Sequence, residues 1–172
     1  MAKQRAKFTG KPGSALASAS NLRERDDMTQ TSWGDHLVSV PQMDREHLKL
    51  IAQVNEFSAA VDTGASRAEL ETRLTQLIEG FQEHFKSEEG LMQTSTFPGL
   101  HVHADEHRKL IGQMSGFRDD LESGAIGLCQ ALVLFVRVWT EEHMMGLDRG
   151  FARFLKDGWA NCALGSAAVV TR

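Results

Sequence analysis

Met43, His47, Leu50, Ile51, Val54, Phe57 and Val61 follow one another at spacings of three and four. That period lines one face of an α-helix. It returns three times. A second run carries Leu70, Leu74, Leu77, Ile78, Phe81, His84, Phe85 and Glu88. A third runs from about Leu100 through His103, His107, Leu110, Ile111, Met114, Phe117 and Leu121. A fourth runs from about Leu128 through Leu132, Phe135, Val136, Trp139, His143, Leu147, Phe151 and Phe154, and should end before Gly158. No segment alternates with the period of two that marks a half-buried strand. Gly64 suits the end of the first run, and Ser66 with Glu69 reads as a capping box for the second. Pro98 and Gly99 break the chain before the third, and "ESGAIG" is a loop before the fourth. Four helices joined by short loops predict an all-α fold, an antiparallel up-down-up-down four-helix bundle.

The bundle should span residues 31–157. Residues 1–30, rich in Ala, Ser, Gly, Lys and Arg and without apolar periodicity, read as a disordered tail. Met28 near its end is an alternative start for translation. Residues 158–172 read as an unpatterned C-terminal tail. A length of 172 residues fits one such domain. The net charge of −4 argues against a nucleic-acid partner. No apolar run nears the ~20 residues that cross a bilayer, and the basic N-terminus lacks the apolar stretch of a secretory signal. Cys129 and Cys162 make no disulfide framework, so a reducing cytoplasm is the expected compartment.

The polar residues on the stripes carry the chemistry. A step of four leaves two side chains roughly 40° apart on a helix, so His84 shares a face with Glu88, and His103 with His107. Phe81 and Leu77 put His84 on the buried stripe, and Leu110 and Ile111 do the same for His107. His47 shares its face with Met43, Leu50 and Ile51; His143 shares its face with Trp139 and Leu147. Each helix thus sends at least one histidine inward. Burying five imidazoles and Glu88 without partners would cost several kcal/mol, and a metal removes that cost, since imidazole and carboxylate are natural ligands for iron. Asp148 follows His143 by five residues, which an ideal helix places about 140° apart. A shared site then requires a local bulge or a carboxylate reaching sideways. His101, two residues from His103, should face solvent, and His36 has no periodic partners. Asp44, one turn before His47, either orients that imidazole or complements the helix dipole, the second being preferred.

If two octahedral irons share the bundle, they need twelve donor positions. Five imidazoles, two bridging carboxylates and a bridging oxo or hydroxo group fill eleven, which leaves one for a small ligand. Seven donors are too many for one zinc. Oxygen-cleaving di-iron enzymes use Glu-x-x-His pairs, which do not occur here. A histidine-rich site suits reversible binding, so no enzymatic activity is expected.

The order His47, His84-x-x-x-Glu88, His103-x-x-x-His107, His143-x-x-x-x-Asp148 resembles the hemerythrin family, and the bacterial hemerythrins in particular. The flanks "SWGDHLVSV", "MDREHLKL" and "HFKSEEGLM" agree, and the likeness covers about residues 32 to 156. It implies a non-heme di-iron centre (Fe2+/Fe3+, oxo- or hydroxo-bridged) that takes dioxygen as ligand, for carriage, storage or delivery. By the same likeness, His103, His107 and His143 hold the saturated iron, His47 and His84 hold the iron with the vacancy, and Glu88 and Asp148 bridge. Leu50, Phe85, Trp139, Thr140 and Met144 line the oxygen pocket. Thr140 departs from the family, which commonly has an aliphatic residue there. Its hydroxyl is expected to admit water or protons and to shorten the life of the oxygenated form. Azide or another small anion should bind the oxidised form, and a protein partner for delivery or signalling fits the reading. The alternatives are an oxygen or redox sensor acting through its tails, and a protein reactive with nitric oxide or peroxide.

Overall fold

The computed structural model describes residues 37–124 and 129–167, with side chains as far as Gly158. They fall in one compact unit, Trp33–Arg172. Helix α1 is Pro41–Asp62, α2 is Arg67–Thr94, α3 is Leu100–Glu122 and α4 is Cys129–His143. One π-helical turn, Met144–Asp148, joins α4 to α5, Arg149–Ala167. These last three form the fourth rod of an antiparallel four-helix bundle. Consecutive rods pack side by side, and α4 closes the bundle against α1. No strand occurs among the described residues.

The helix ends follow from local chemistry. Pro41 opens α1, where its missing N–H is no loss. Asp44 serves this end: its Oδ1 accepts the Val38 N–H at 2.7 Å and holds the arm that leads into the helix. It makes no hydrogen bond to His47, whose ring nitrogens have no hydrogen-bond partner. At the other end Ala65 N–H reaches the Ala60 carbonyl and Gly64 N–H the Val61 carbonyl, with Gly64 at φ +69°. This double return is a Schellman turn, and its left-handed position favours glycine. Only half of the expected capping box forms. Ser66 Oγ accepts the Glu69 N–H at 3.3 Å, but the Glu69 carboxylate turns to Arg73 at 2.9 Å. The fourth rod also differs from expectation. Its backbone stays helical to Ala167 instead of ending before Gly158, because a single glycine weakens a helix without stopping it. The tail expected over residues 1–30, His36, and the end beyond Ala167 lie outside the described residues.

The core consists of two apolar clusters with a polar layer between them. The larger holds Leu50, Val54, Phe57, Leu74, Phe81, Leu110, Met114, Leu132 and Val136 among others. The smaller holds Val38, Val40, Met43, Met92, Phe151, Ala152 and Leu155. Each rod passes from one to the other through a buried ionisable residue. His47 stands between Met43 and Leu50, Glu88 between Phe85 and Met92, and His103 and His107 precede Leu110. His143 and Asp148 lie between Val136 and Phe151. Packed hydrocarbon above and below keeps water from this layer, so its polar groups must satisfy one another or a bound ion.

Candidate metal centre

His47, His84, Glu88, His103, His107, His143 and Asp148 are all buried, at 6% exposure or less. Their donor atoms gather in two groups, one atom from each residue lying within 4.8 Å of the others of its group. One group is Glu88, His103, His107 and His143; the other is His47, His84 and Asp148. Asp148 faces both. Its Oδ2 lies 3.2 Å from His47 Nε2, and its Oδ1 lies 3.1 Å from both His103 Nε2 and His143 Nε2. Glu88 Oε2 likewise stands 3.3 Å from His103 Nε2, 3.4 Å from His107 Nε2 and 3.9 Å from His84 Nε2.

The π turn is what brings Asp148 in. Its bonds close over five residues rather than four, so position 148 returns to the face of His143. Of the two routes the five-residue step allowed, a local bulge or a sideways reach, the bulge is the one present. His101 is exposed, as its phase predicted.

The donor chemistry fits cations. His143 Nε2 lies 3.0 Å from His107 Nε2 and 2.9 Å from His103 Nε2. Two nitrogens about 2.1 Å from one ion at a right angle would stand about 3.0 Å apart. Both oxygens of Glu88, both of Asp148 and both ring nitrogens of His47 are buried without a hydrogen-bond partner. So the close approaches of Glu88, Asp148 and His47 are not aligned hydrogen bonds. Such orphaned groups are rare in folded proteins unless an ion or water completes them.

Electrostatics in the metal-free layer pull the titrating groups apart. Burial, then the nearby His47, lowers His84 to about 4 against the opposing pull of Glu46. Burial with His143 and His103 lowers His107 to about 2. Burial with the Asp148 charge raises Glu88 to about 7. For His103 burial works downward, but Asp148 and Glu88 outweigh it and raise the ring to about 9. Burial would raise Asp148, yet His103, His143 and His47 around it hold its carboxyl well below the usual range.

Two orienting acids were not read from the sequence. Glu46 Oε2 takes His84 Nδ1 at 3.0 Å, and Glu89 Oε1 takes His107 Nδ1 at 2.8 Å. Each fixes the tautomer that leaves Nε2 free to face the centre. Glu46 is itself held by Ser87 Oγ at 2.8 Å, and Gln42 Nε2 donates to Ser87 Oγ at 2.8 Å. Two rings brace the imidazoles. Phe85 stacks on His107 with centroids 3.7 Å apart, and Trp139 stacks on His143 at 4.3 Å. Of the expected pocket residues, Leu50, Phe85, Thr140 and Met144 are buried and Trp139 partly so. Leu50 and Phe85 belong to the larger cluster, and Trp139 packs against it.

The family model for the hemerythrin HHE cation binding domain matches residues 38–155. The chain is 31% identical over 106 residues to a bacteriohemerythrin of Methylococcus capsulatus, covering 62% of this chain and 80% of that relative. It is 26% identical over 106 residues to the myohemerythrin of Sipunculus nudus, covering 62% of this chain and 77% of that relative. A solved structure described as wild-type hemerythrin superposes with a TM-score of 0.63 at 30% identity, covering 67% of this chain and 88% of that one.

Proposed function

Since the chain belongs to the hemerythrin family, we propose that it binds dioxygen reversibly at a non-heme di-iron centre, for carriage, storage or delivery. The observation that carries this is the pair of buried donor groups, three imidazoles with Glu88 and two with Asp148. In this reading His103, His107 and His143 hold one iron and His47 and His84 the other. Glu88 and Asp148 would be shared between the two, in keeping with the approach of Asp148 to imidazoles of both groups. The uneven split leaves the position for a ligand beside His47 and His84. Bound there, the two irons supply the electrons and the open coordination position that dioxygen requires.

The chain's own residues set the conditions for that chemistry. Glu46 and Glu89 hold His84 and His107 with Nε2 inward. Phe85 and Trp139 fix two ring planes from behind. Leu50, Phe85, Trp139 and Met144 exclude water from the pocket, which favours a neutral gas over hydrated competitors. No described helix is long and apolar enough to cross a membrane, and Cys129 is a free thiol. Both support a cytoplasmic setting.

Azide titration of the oxidised, iron-loaded protein tests the assignment of the vacancy. Azide should shift the near-ultraviolet charge-transfer bands of the wild type. It should shift them far less in His84→Ala, with iron content measured alongside. Full azide binding by an iron-replete His84→Ala protein would remove His84 from the vacant side.

A further inference from the structure

Thr140 carries a buried hydroxyl on the helix that bears His143. It is 4% exposed, and its Oγ1 is buried without a hydrogen-bond partner. Helical threonines usually discharge the hydroxyl onto the backbone of the preceding turn. Four others here do so. Thr63, Thr72, Thr75 and Thr94 donate to the carbonyls of Ala59, Ala68, Glu71 and Gly90 at 2.8–3.1 Å. Thr140 makes no such bond to Val136, so its hydroxyl is directed elsewhere.

Its surroundings say where. On α4 the residues a turn to either side, Val136 and His143, are both buried, as is Met144 at the start of the π turn. Thr140 therefore faces the interior. Val136 belongs to the larger apolar cluster and His143 to the metal-binding group. Along the helix Thr140 stands between these layers, about one turn, or ~5 Å along the axis, before His143. Four of the five imidazoles offer no competing donor into the pocket. His84 and His107 give Nδ1 to Glu46 and Glu89. His47 and His103 turn Nε2 toward Asp148, so Nδ1 points away.

We propose that the Thr140 hydroxyl donates a hydrogen bond to the small ligand held at the metal centre. The pocket, apolar on its other walls, is thereby biased toward small ligands whose outer atom accepts a hydrogen bond. This rests on the di-iron reading and concerns only what the hydroxyl adds to it. Without the ligand the hydroxyl is an orphan; with it, the hydroxyl is satisfied. Its burial without a partner is a cost to the fold that ligand binding relieves.

The test uses the iron-loaded, oxidised full chain and azide as probe. Wild type, Thr140→Val, Thr140→Ala and Thr140→Ser are titrated at matched iron content. The azide antisymmetric stretch is then recorded in H2O and D2O. The two variants without a hydroxyl should bind azide at least about tenfold more weakly, the effect of losing one hydrogen bond to an anion. Thr140→Ser should stay within about twofold of wild type. The stretch should shift in D2O for wild type and Thr140→Ser and stay fixed for the other two. Metal-free Thr140→Val should be at least as stable as wild type, since it buries no orphan hydroxyl. Unaltered azide affinity and an unaltered stretch in Thr140→Val and Thr140→Ala would overturn the proposal while leaving the di-iron reading intact. A wild type that takes up iron but no azide, or no iron at all, would overturn both.

Discussion

Stripping the metal should leave a protein whose stability peaks near pH 6.5 and falls to either side. The perturbation is chelation followed by urea unfolding at several pH values. In the folded metal-free chain His84 and His107 lie far below their ordinary 6.5, at about 4 and about 2. Their contribution to stability is present above pH 6.5 and is lost as the pH falls. Glu88, raised from 4.5 to about 7, works the other way: its contribution is present below 4.5 and is lost by about 7. Between pH 6.5 and 4.5 the unfolded chain therefore holds about one proton more than the folded one. The groups titrate gradually across this window, so at ~1.4 kcal/mol per pH unit per proton the loss is about 2 kcal/mol. On the alkaline side His103, raised from 6.5 to about 9, loses its contribution as the pH rises. Glu88 adds to this as far as about 7 while His84 and His107 recover the rest of theirs, and by pH ~8.5 the loss is again about 2 kcal/mol. That is a large part of the 5–15 kcal/mol typical of a domain, so the urea midpoint should move visibly. With metal bound, ions replace the protons and the profile should flatten. A metal-free midpoint that is level from pH 4.5 to 8.5, or climbs throughout, would refute the layer's electrostatics.

Three further outcomes follow from the same geometry. Loading metal at pH 7 must expel the proton on His103 and the half-occupied one on Glu88. Calorimetry in buffers of different ionisation enthalpy should detect release of about 1.5 protons per chain, and a buffer-independent heat would contradict it. Glu46→Gln and Glu89→Gln weaken the hold on Nδ1 of His84 and His107, so each should lower metal affinity by ~10–100-fold in chelator competition. Affinities equal to wild type would make these acids incidental. Phe81 is 1% exposed in the larger cluster, so Phe81→Ala should cost about 3–5 kcal/mol in urea unfolding of the metal-loaded chain. A cost below about 1 kcal/mol would mean that the cluster repacks freely.

The bundle was legible because each rod repeats apolar residues at the helical period, and most of the candidate ligands were legible because they sit in phase with those stripes. His47, His84 and His107 could be assigned to the interior from sequence neighbours alone. Asp148 could not be placed by an ideal helix. Its step of five required an irregular turn, and a π turn leaves no signature in residue types. Glu46 and Glu89 were missed for another reason. Their partners, His84 and His107, lie on other helices, and the pairing depends on how the rods rotate against each other. The capping of α2 failed halfway because Arg73, one turn on, competes for Glu69. The continuation of the last helix past Gly158 shows the limit of reading a helix end from one glycine.

An oxygen equilibrium on the reduced, iron-loaded chain tests the central claim most directly. The protein is reconstituted with ferrous iron to about two irons per chain, then cycled between air and argon while its optical spectrum is followed. The predicted result is a set of charge-transfer bands that rises with oxygen, disappears under argon and returns over repeated cycles. Bands that form once and do not reverse, or a chain that retains no iron after reconstitution, would contradict reversible oxygen binding at this centre.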